Sequence, residues 1–335
     1  MPAPPDPLLE PWSLPYDPLA TVDDIRACFR LILGRNPHRE EWTGHCGNAG
    51  QPLPAVVANY VNSLEFARRG LLARAAPDAQ VADWGDFRIY ASPHDQAVGR
   101  HVLGGAYEPD VTAILRRFLR PGMAMLDIGA NIGVFTMLGA ACVGPGGSVL
   151  AVEPNPANAR LLEASRRLNG FAHVTLCQAA AGRAIGLLGL HAFDSNGTTS
   201  AIGEAALLQG AQSVAALPVD LLVPPGRRVD LVKIDVEGAE HSALLGCEAT
   251  LRRCMPVIVS EFSPDQMAGI SGIDGPGYLR WLAGLGYRIS VIGEGGALDE
   301  PGVAPEPVMA RYVAAARDHI DIACLPPGVG LDALR

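Results

Sequence analysis

Beyond about residue 105 the apolar positions fall into short continuous runs separated by stretches with helical spacing. Runs at Ala124–Ile128, Val149–Val152, Val174–Cys177, Val229–Ile234 and Val257–Ser260 have strand length. The segments between the first three, and between the last two, have helical spacing, as at Leu161, Leu162, Ser165 and Leu168. Short buried strands alternating with amphipathic helices predict an α/β fold, a doubly wound and mostly parallel sheet with helices on both faces. Tyr287–Ile292 and His319–Leu325 read as two further strands, an antiparallel pair at the sheet edge. The region 185–225 is less regular, and Ser195-Asn196-Gly197-Thr198-Thr199-Ser200 within it reads as a loop.

The first quarter of the chain has a different pattern. Residues 1–18 are proline-rich and read as an extended arm. Thr21-Val22-Asp23-Asp24 has the form of a capping box and opens a helix carrying Ile25, Phe29 and Ile32, stopped by Gly34 and Pro37. A second helix is predicted from about Pro54, with Val57, Tyr60, Val61 and Leu64 on one face, closing through Arg68-Arg69 and Gly70. The organisation expected is an arm over 1–18, a small helical domain over 19–75 and a large domain over 76–335, with the polar stretch Ala75–Asp83 as the divider.

Composition narrows the function classes. With 49% hydrophobic and 18% charged residues, the chain can bury a core and is not globally disordered. A net charge of −9 argues against a general binder of nucleic acid or anionic membranes. No apolar stretch reaches the roughly 18 residues a membrane-spanning helix needs, and the opening MPAPPDPLLE lacks the basic flank of a secretory signal. The seven cysteines are scattered without a C-x-x-C pair, which fits a reduced, cytoplasmic protein.

The chemistry concentrates in two segments. Met125-Leu126-Asp127-Ile128-Gly129-Ala130-Asn131-Ile132-Gly133 is a strand, a glycine turn and the start of a helix, the arrangement that presents free N–H groups to a ligand. The next strand ends in Glu153, followed by Pro154-Asn155-Pro156, where a Rossmann-type sheet places its acceptor for a ribose diol. A dinucleotide needs G-x-G-x-x-G, whereas this turn is G-A-N-I-G with the acid Asp127 before it. An acid facing the pocket would repel a pyrophosphate and suit a ligand bearing an ammonium and a sulfonium, which points to S-adenosylmethionine. The bland alternative is that Asp127 and Asn131 merely hold the turn.

In the second segment, Val229-Asp230-Leu231-Val232-Lys233-Ile234-Asp235-Val236-Glu237-Gly238-Ala239-Glu240-His241, a buried strand delivers Asp235 to the ligand-binding edge, with Glu237 and Glu240 close behind. Three readings stand: a general base with hydrogen-bonding partners, an oxygen site for Mg²⁺, or helix caps. Asp235 is taken as the base and the metal reading is not favoured. His241 and Glu261 are the other candidate bases, the bland readings being a surface histidine and a satisfied edge carboxylate. His191 and Asp194 are within reach of an acceptor if the following loop folds inward.

LDIGANIGVFT, AVEPNPANARLLEASRRLNG, VDLVKIDVEGAEHSALLG and PVIVSEF together resemble the FkbM family of S-adenosylmethionine-dependent methyltransferases, over about residues 105–265. Tyr107-Glu108-Pro109 and the Asn196–Ser200 segment resemble family features in order and spacing. The resemblance implies a class I methyltransferase fold, a Rossmann-like seven-stranded sheet whose last pair is antiparallel. It implies O-methylation of a hydroxyl on a sugar, glycan or polyketide-type natural product. It also implies a cofactor site at Tyr107, Glu108, Asp127, Gly129, Ala130, Asn131, Gly133, Glu153, Pro154, Asn155, Ala180, Asp235 and Glu237, and an acceptor site at Asn196, Thr198 and Glu240. His241 stands where the family pattern has no fixed residue. Phe29–Pro37 and Ser63–Phe66 are similar to a small helical domain (DUF4214-like) of bacterial surface and glycan-associated proteins, which implies a docking or self-association module, or else a lid over the sheet. The rival functions are a nicotinamide-dependent oxidoreductase and a non-catalytic binder of adenosyl ligands or glycans.

Overall fold

The computed structural model describes residues 17–69, 78–208 and 211–330. Most of the expected arm, the glycine stop at 70 and the start of the expected divider lie outside the described residues. The chain divides into two compact units, Met1–Pro77 and Asp78–Arg335.

In the first unit, Thr21 caps Val22–Ala27 through the reciprocal bonds of a capping box with Asp24, and Cys28–Ile32 continues the helix in a wider, π-type turn. Ile25, Phe29, Leu33, Val56, Tyr60 and Phe66 form its core. The helix expected from Pro54 is two helices, Leu53–Val61 and Leu64–Arg69, because Ser63 interrupts it: its hydroxyl donates back to the Tyr60 carbonyl and accepts from Phe66 N–H. Arg39–Cys46 forms a helix with no apolar stripe beyond Trp42, which is why periodicity misses it.

The second unit is built on seven strands: β1 (Ala124–Ile128), β2 (Ser148–Val152), β3 (Val174–Cys177), β4 (Leu231–Ile234), β5 (Val257–Phe262), β6 (Arg288–Gly293) and β7 (Ile320–Leu325). Their order is β3-β2-β1-β4-β5-β7-β6, parallel except for β7, which runs antiparallel to both β5 and β6. This is the expected α/β Rossmann-like methyltransferase sheet, extended beyond β6 by an eighth strand of two residues, Ala297–Leu298. Alternate side chains feed opposite faces: Leu231 and Val257 enter one core, Val232 and Ile258 the other. The helices Val134–Val143 and Pro156–Asn169 follow β1 and β2, so both strands end at the edge where those helices begin.

Two features depart from the sequence expectation. Gln80–Asp83, within the expected divider, pairs with Arg88–Ala91 as a small hairpin. The irregular region carries its own four-stranded sheet, in the order Ala180–Ala181, Ser213–Leu217, Gly186–Phe193, Asn196–Ala201. The expected loop at Ser195–Ser200 is therefore mostly a strand, paired with Gly186–Phe193 from Phe193↔Asn196 outward. Asp194 and Ser195 make the tight turn, with Asp194 at φ 53°. A run of Ser, Asn, Gly and Thr lacks apolar alternation, but the hydrogen-bond ladder and β-branched threonines suffice once a partner strand is present.

Candidate functional site

Strand order reverses between β1 and β4, and a cavity of about 530 Å³ opens there at the carboxyl ends of the parallel strands. Gly129 and Asn131 from the turn after β1, Glu153, Pro154 and Asn155 after β2, Ala180 after β3, and Asp235 and Glu237 after β4 line it. Glu261 near the end of β5, Tyr107 and Glu108 before the helix Pro109–Phe118, and Asn196 from the inserted hairpin complete the expected residues that it gathers. Asn158, Ser195, Asp318 and His319 also line it and are not among the expected site residues. Asn158 lies three positions after Asn155 on a helix start, a legible signal. The others carried none, because only tertiary contact brings the hairpin turn and the start of β7 to this edge.

The turn after β1 is held by packing. Gly129 has φ +78°, and a Cβ there would lie 1.8 Å from the Asp235 carbonyl oxygen. Gly133 has φ +99°, and its Cβ would meet Leu162 Cγ at 2.7 Å. Both glycines thus serve close approach of protein to protein; Gly133 and the buried Ala130 do not line the cavity. Asp127 is also withdrawn: its side chain is fully buried, and Oδ2 accepts from Thr136 Oγ1 at 2.5 Å. The acid expected to face the ligand instead ties β1 to the following helix.

Glu153 occupies the expected position. Its Oε2 accepts from Asn131 N–H at 2.8 Å, and Oε1 from Asn155 N–H at 2.8 Å and Asn158 Nδ2 at 3.4 Å. Burial nevertheless lifts its pKa to about 7, against the lowering effect of these donors. Oε2 keeps a lone pair beyond its backbone donor, so the carboxylate can still accept from a ligand hydroxyl.

Around β4 the charges are unbalanced. Lys233 is buried, with Nζ 2.9 Å from Asp235 Oδ2 and 4.7 Å from the centre of the Phe135 ring. Burial would lower the lysine's pKa, but Asp235, Glu108 and Asp127 around it raise it, so it is a fixed cation. Burial pushes Asp235 upward too; the Lys233 ammonium outweighs this and holds the carboxyl below its ordinary value. Glu261, which accepts a hydrogen bond from Ser263 Oγ, is raised well above the usual range by burial and by the Asp235 charge. Glu108 is pushed up to about 7 by burial despite Lys233, and Glu237 is raised by burial and Asp235. Among the described residues six acids line the cavity, namely Glu108, Glu153, Asp235, Glu237, Glu261 and Asp318, and no lysine or arginine does.

The remaining expected residues lie elsewhere. Glu240 is fully buried and accepts from the Val236 and Gly238 N–H groups at 3.0 and 3.2 Å, so it braces the loop after β4 rather than meeting an acceptor. His241 packs edge-on against Trp281, 5.0 Å between ring centres, and does not line the cavity; burial lowers its pKa. Thr198 does not line the cavity, whereas its neighbours Gly197 and Thr199 do. His191 bonds Ser200 Oγ and Asp194 accepts from Gln96 N–H, both outside the cavity lining. Asp235, Glu237 and Glu240 do not converge: they bond Lys233, Asn196 and backbone N–H groups respectively. Among the described residues no group of three His, Cys, Asp or Glu side chains is arranged to hold a metal ion.

A family model, the methyltransferase FkbM domain, matches residues 127–289. Among solved structures, an FkbM methyltransferase from Methylobacillus flagellatus KT is 14% identical, with a TM-score of 0.39, over 89% of this chain and 58% of that one. The chain thus spans little more than half of that relative. A precorrin-6y C5,15-methyltransferase from Geobacter metallireducens is 16% identical (TM-score 0.37, 71% of this chain, 94% of that one). An S-adenosylmethionine-dependent O-methyltransferase from Thermotoga maritima is 16% identical (TM-score 0.38, 67% and 68%). No curated protein matches the sequence. Among the described residues no helix is long and apolar enough to cross a membrane.

Proposed function

We propose, from the match of residues 127–289 to the methyltransferase FkbM domain, that this chain's cavity binds S-adenosylmethionine and that the reaction is methyl transfer to a hydroxyl of a sugar, glycan or polyketide-type acceptor. The observation that carries the cofactor assignment is the acidic wall: among the described residues, six acids and no lysine or arginine around the cavity. Such a wall attracts a sulfonium and an ammonium and repels the pyrophosphate of a nicotinamide dinucleotide. The volume of about 530 Å³ falls within the range of cofactor pockets.

Glu153 is the acceptor for the ribose hydroxyls, and Asn131, Pro154 and Asn155 surround that end. Tyr107, Glu108, Asp235 and Glu237 face the charged half. When bound, S-adenosylmethionine supplies an electrophilic methyl group, so alignment and exclusion of water are the main demands on the protein. Asp235 is ionised at neutral pH because Lys233 pairs with it, and in that form it can accept the proton of an acceptor hydroxyl. Burial and the Asp235 charge raise the Glu261 carboxyl, which hydrogen-bonds to Asp235. Acceptance by Asp235 supports transfer to oxygen, since a hydroxyl must lose its proton as the new bond forms.

The test is a screen of sugar and polyketide-type hydroxyl acceptors with methyl-labelled S-adenosylmethionine, read as label in the product. Asp235→Asn should bind S-adenosylhomocysteine nearly as wild type and turn over about 10²–10⁴-fold more slowly. Label transferred to a ring nitrogen or carbon instead would overturn the oxygen assignment.

A further inference from the structure

The inserted hairpin reaches the cavity through its turn, and the turn is fixed from several sides. The Ser195 carbonyl accepts from Asn158 Nδ2 at 2.7 Å and from Asn131 Nδ2 at 3.1 Å. Asp194 Oδ2 accepts from Gln96 N–H at 3.1 Å, and Asn196 Nδ2 donates to Glu237 Oε1 at 3.2 Å. Ser195 is therefore held against the same two asparagines that contact Glu153.

Its hydroxyl is the unexplained part. Ser195 is only 7% exposed, and Oγ has no hydrogen-bond partner among the described residues. Four buried side-chain polar atoms lack a partner among the described residues: Asp127 Oδ1, Ser195 Oγ, Glu240 Oε2 and Tyr287 Oη. Of these residues only Ser195 lines the cavity. An unpaired buried hydroxyl is destabilising, and such groups in native proteins normally find a partner. Its backbone carbonyl and the side chains of both neighbours are hydrogen-bonded, which leaves the hydroxyl as the unused group of the turn.

We infer that Ser195 is a cofactor-binding residue, its hydroxyl hydrogen-bonding the adenosine half of S-adenosylmethionine beside Glu153. The inference rests on the proposed cofactor and adds to it a ligand group from outside the Rossmann-like sheet. It also gives the insertion a role: the hairpin carries one polar contact to the nucleoside end of the site, and Asn131 and Asn158 hold that contact in place.

The test compares wild type with Ser195→Ala by calorimetric titration of S-adenosylhomocysteine and of 5′-methylthioadenosine, which retains the adenosine half without the amino-acid half. Removing an unpaired hydroxyl should leave the melting temperature of the ligand-free protein unchanged or slightly higher. Both ligands should bind about five- to tenfold more weakly, the loss of one hydrogen bond. Affinities within about twofold of wild type would overturn the inference. A loss confined to S-adenosylhomocysteine would overturn the placement on the adenosine half. A wild type that binds neither ligand would overturn the proposed cofactor, and this inference with it.

Discussion

Arg35 in the helical unit and Lys233 in the sheet domain are each a cation set among carboxylates, with opposite outcomes. Arg35 bonds Glu65 at 2.6 and 2.7 Å and Glu41 at 3.0 Å, and those hydrogen bonds hold the Glu41 carboxyl down at about 2. Two acids share one guanidinium that can bond both at once, at a half-buried surface, so the group is complete. Lys233 faces Asp235, Glu108 and Asp127 from a buried position and bonds only Asp235. Glu108, Asp127 and, at the ribose end, Glu153 are left with raised pKa values. The first arrangement is a structural clamp. The second gathers more carboxyl groups than its one cation can balance, and a cationic ligand would favour their ionised forms.

The largest effect should come from removing Lys233, with Arg35 as the contrast. Lys233→Met leaves buried carboxylates uncompensated and should cost about 3–5 kcal/mol in urea unfolding at neutral pH, shrinking in acid as the carboxyls protonate. Arg35→Met should cost only about 1 kcal/mol, because Glu41 and Glu65, with side chains 27% and 35% exposed, can turn to water. Equal losses would erase the distinction between clamp and site.

Next in size is Glu153→Ala, expected to weaken S-adenosylmethionine binding by about 2–3 kcal/mol through hydrogen bonds lost to a charged acceptor. An unchanged dissociation constant would remove Glu153 from the ribose subsite.

The two regions should also respond to pH with opposite sign. Glu41 is depressed on folding, so its stabilisation is present above the ordinary glutamate pKa and lost as pH falls toward about 2. Glu153 and Glu108 are raised on folding, so their contribution is present in acid and lost as pH rises through about 7. A bound cation favours their ionised forms. Binding of S-adenosylmethionine should therefore release protons and tighten about five- to tenfold from about pH 6 to pH 8. Calorimetry in buffers of different ionisation enthalpy reads both quantities. Proton uptake on binding would reverse the account.

The smallest effect is expected at His241. His241→Gln should cost about 1 kcal/mol through its lost contact with Trp281 and leave the S-adenosylmethionine dissociation constant unchanged. A clear loss of binding would return it to the site.

The frame of the sheet domain was readable because periodicity and end chemistry agree. β1 and β3 match the predicted runs residue for residue, and Glu153 and Asp235 lie at the expected strand ends. What was missed follows from physics that one-dimensional pattern does not carry. Asp127 precedes the turn in sequence, yet Thr136, one helix turn beyond, captures its side chain. Gly129 and Gly133 have the spacing of a ligand-binding turn, but the atoms a Cβ would strike belong to Asp235 and Leu162. His241 lies one residue beyond a residue that braces the site, and helical rotation turns it toward Trp281. Ser195 and His319 reach the cavity from elements distant in sequence, so no local motif marks them.

The central claim is that the cavity's uncompensated acids select a cationic adenosyl ligand. The direct measurement is calorimetric titration of the full chain at neutral pH with S-adenosylmethionine, S-adenosylhomocysteine and NADH. The charge imbalance around Lys233 leads us to expect S-adenosylmethionine to bind more tightly than S-adenosylhomocysteine, which lacks the sulfonium charge, and NADH not to bind. Tight binding of NADH with none of S-adenosylmethionine would contradict the account.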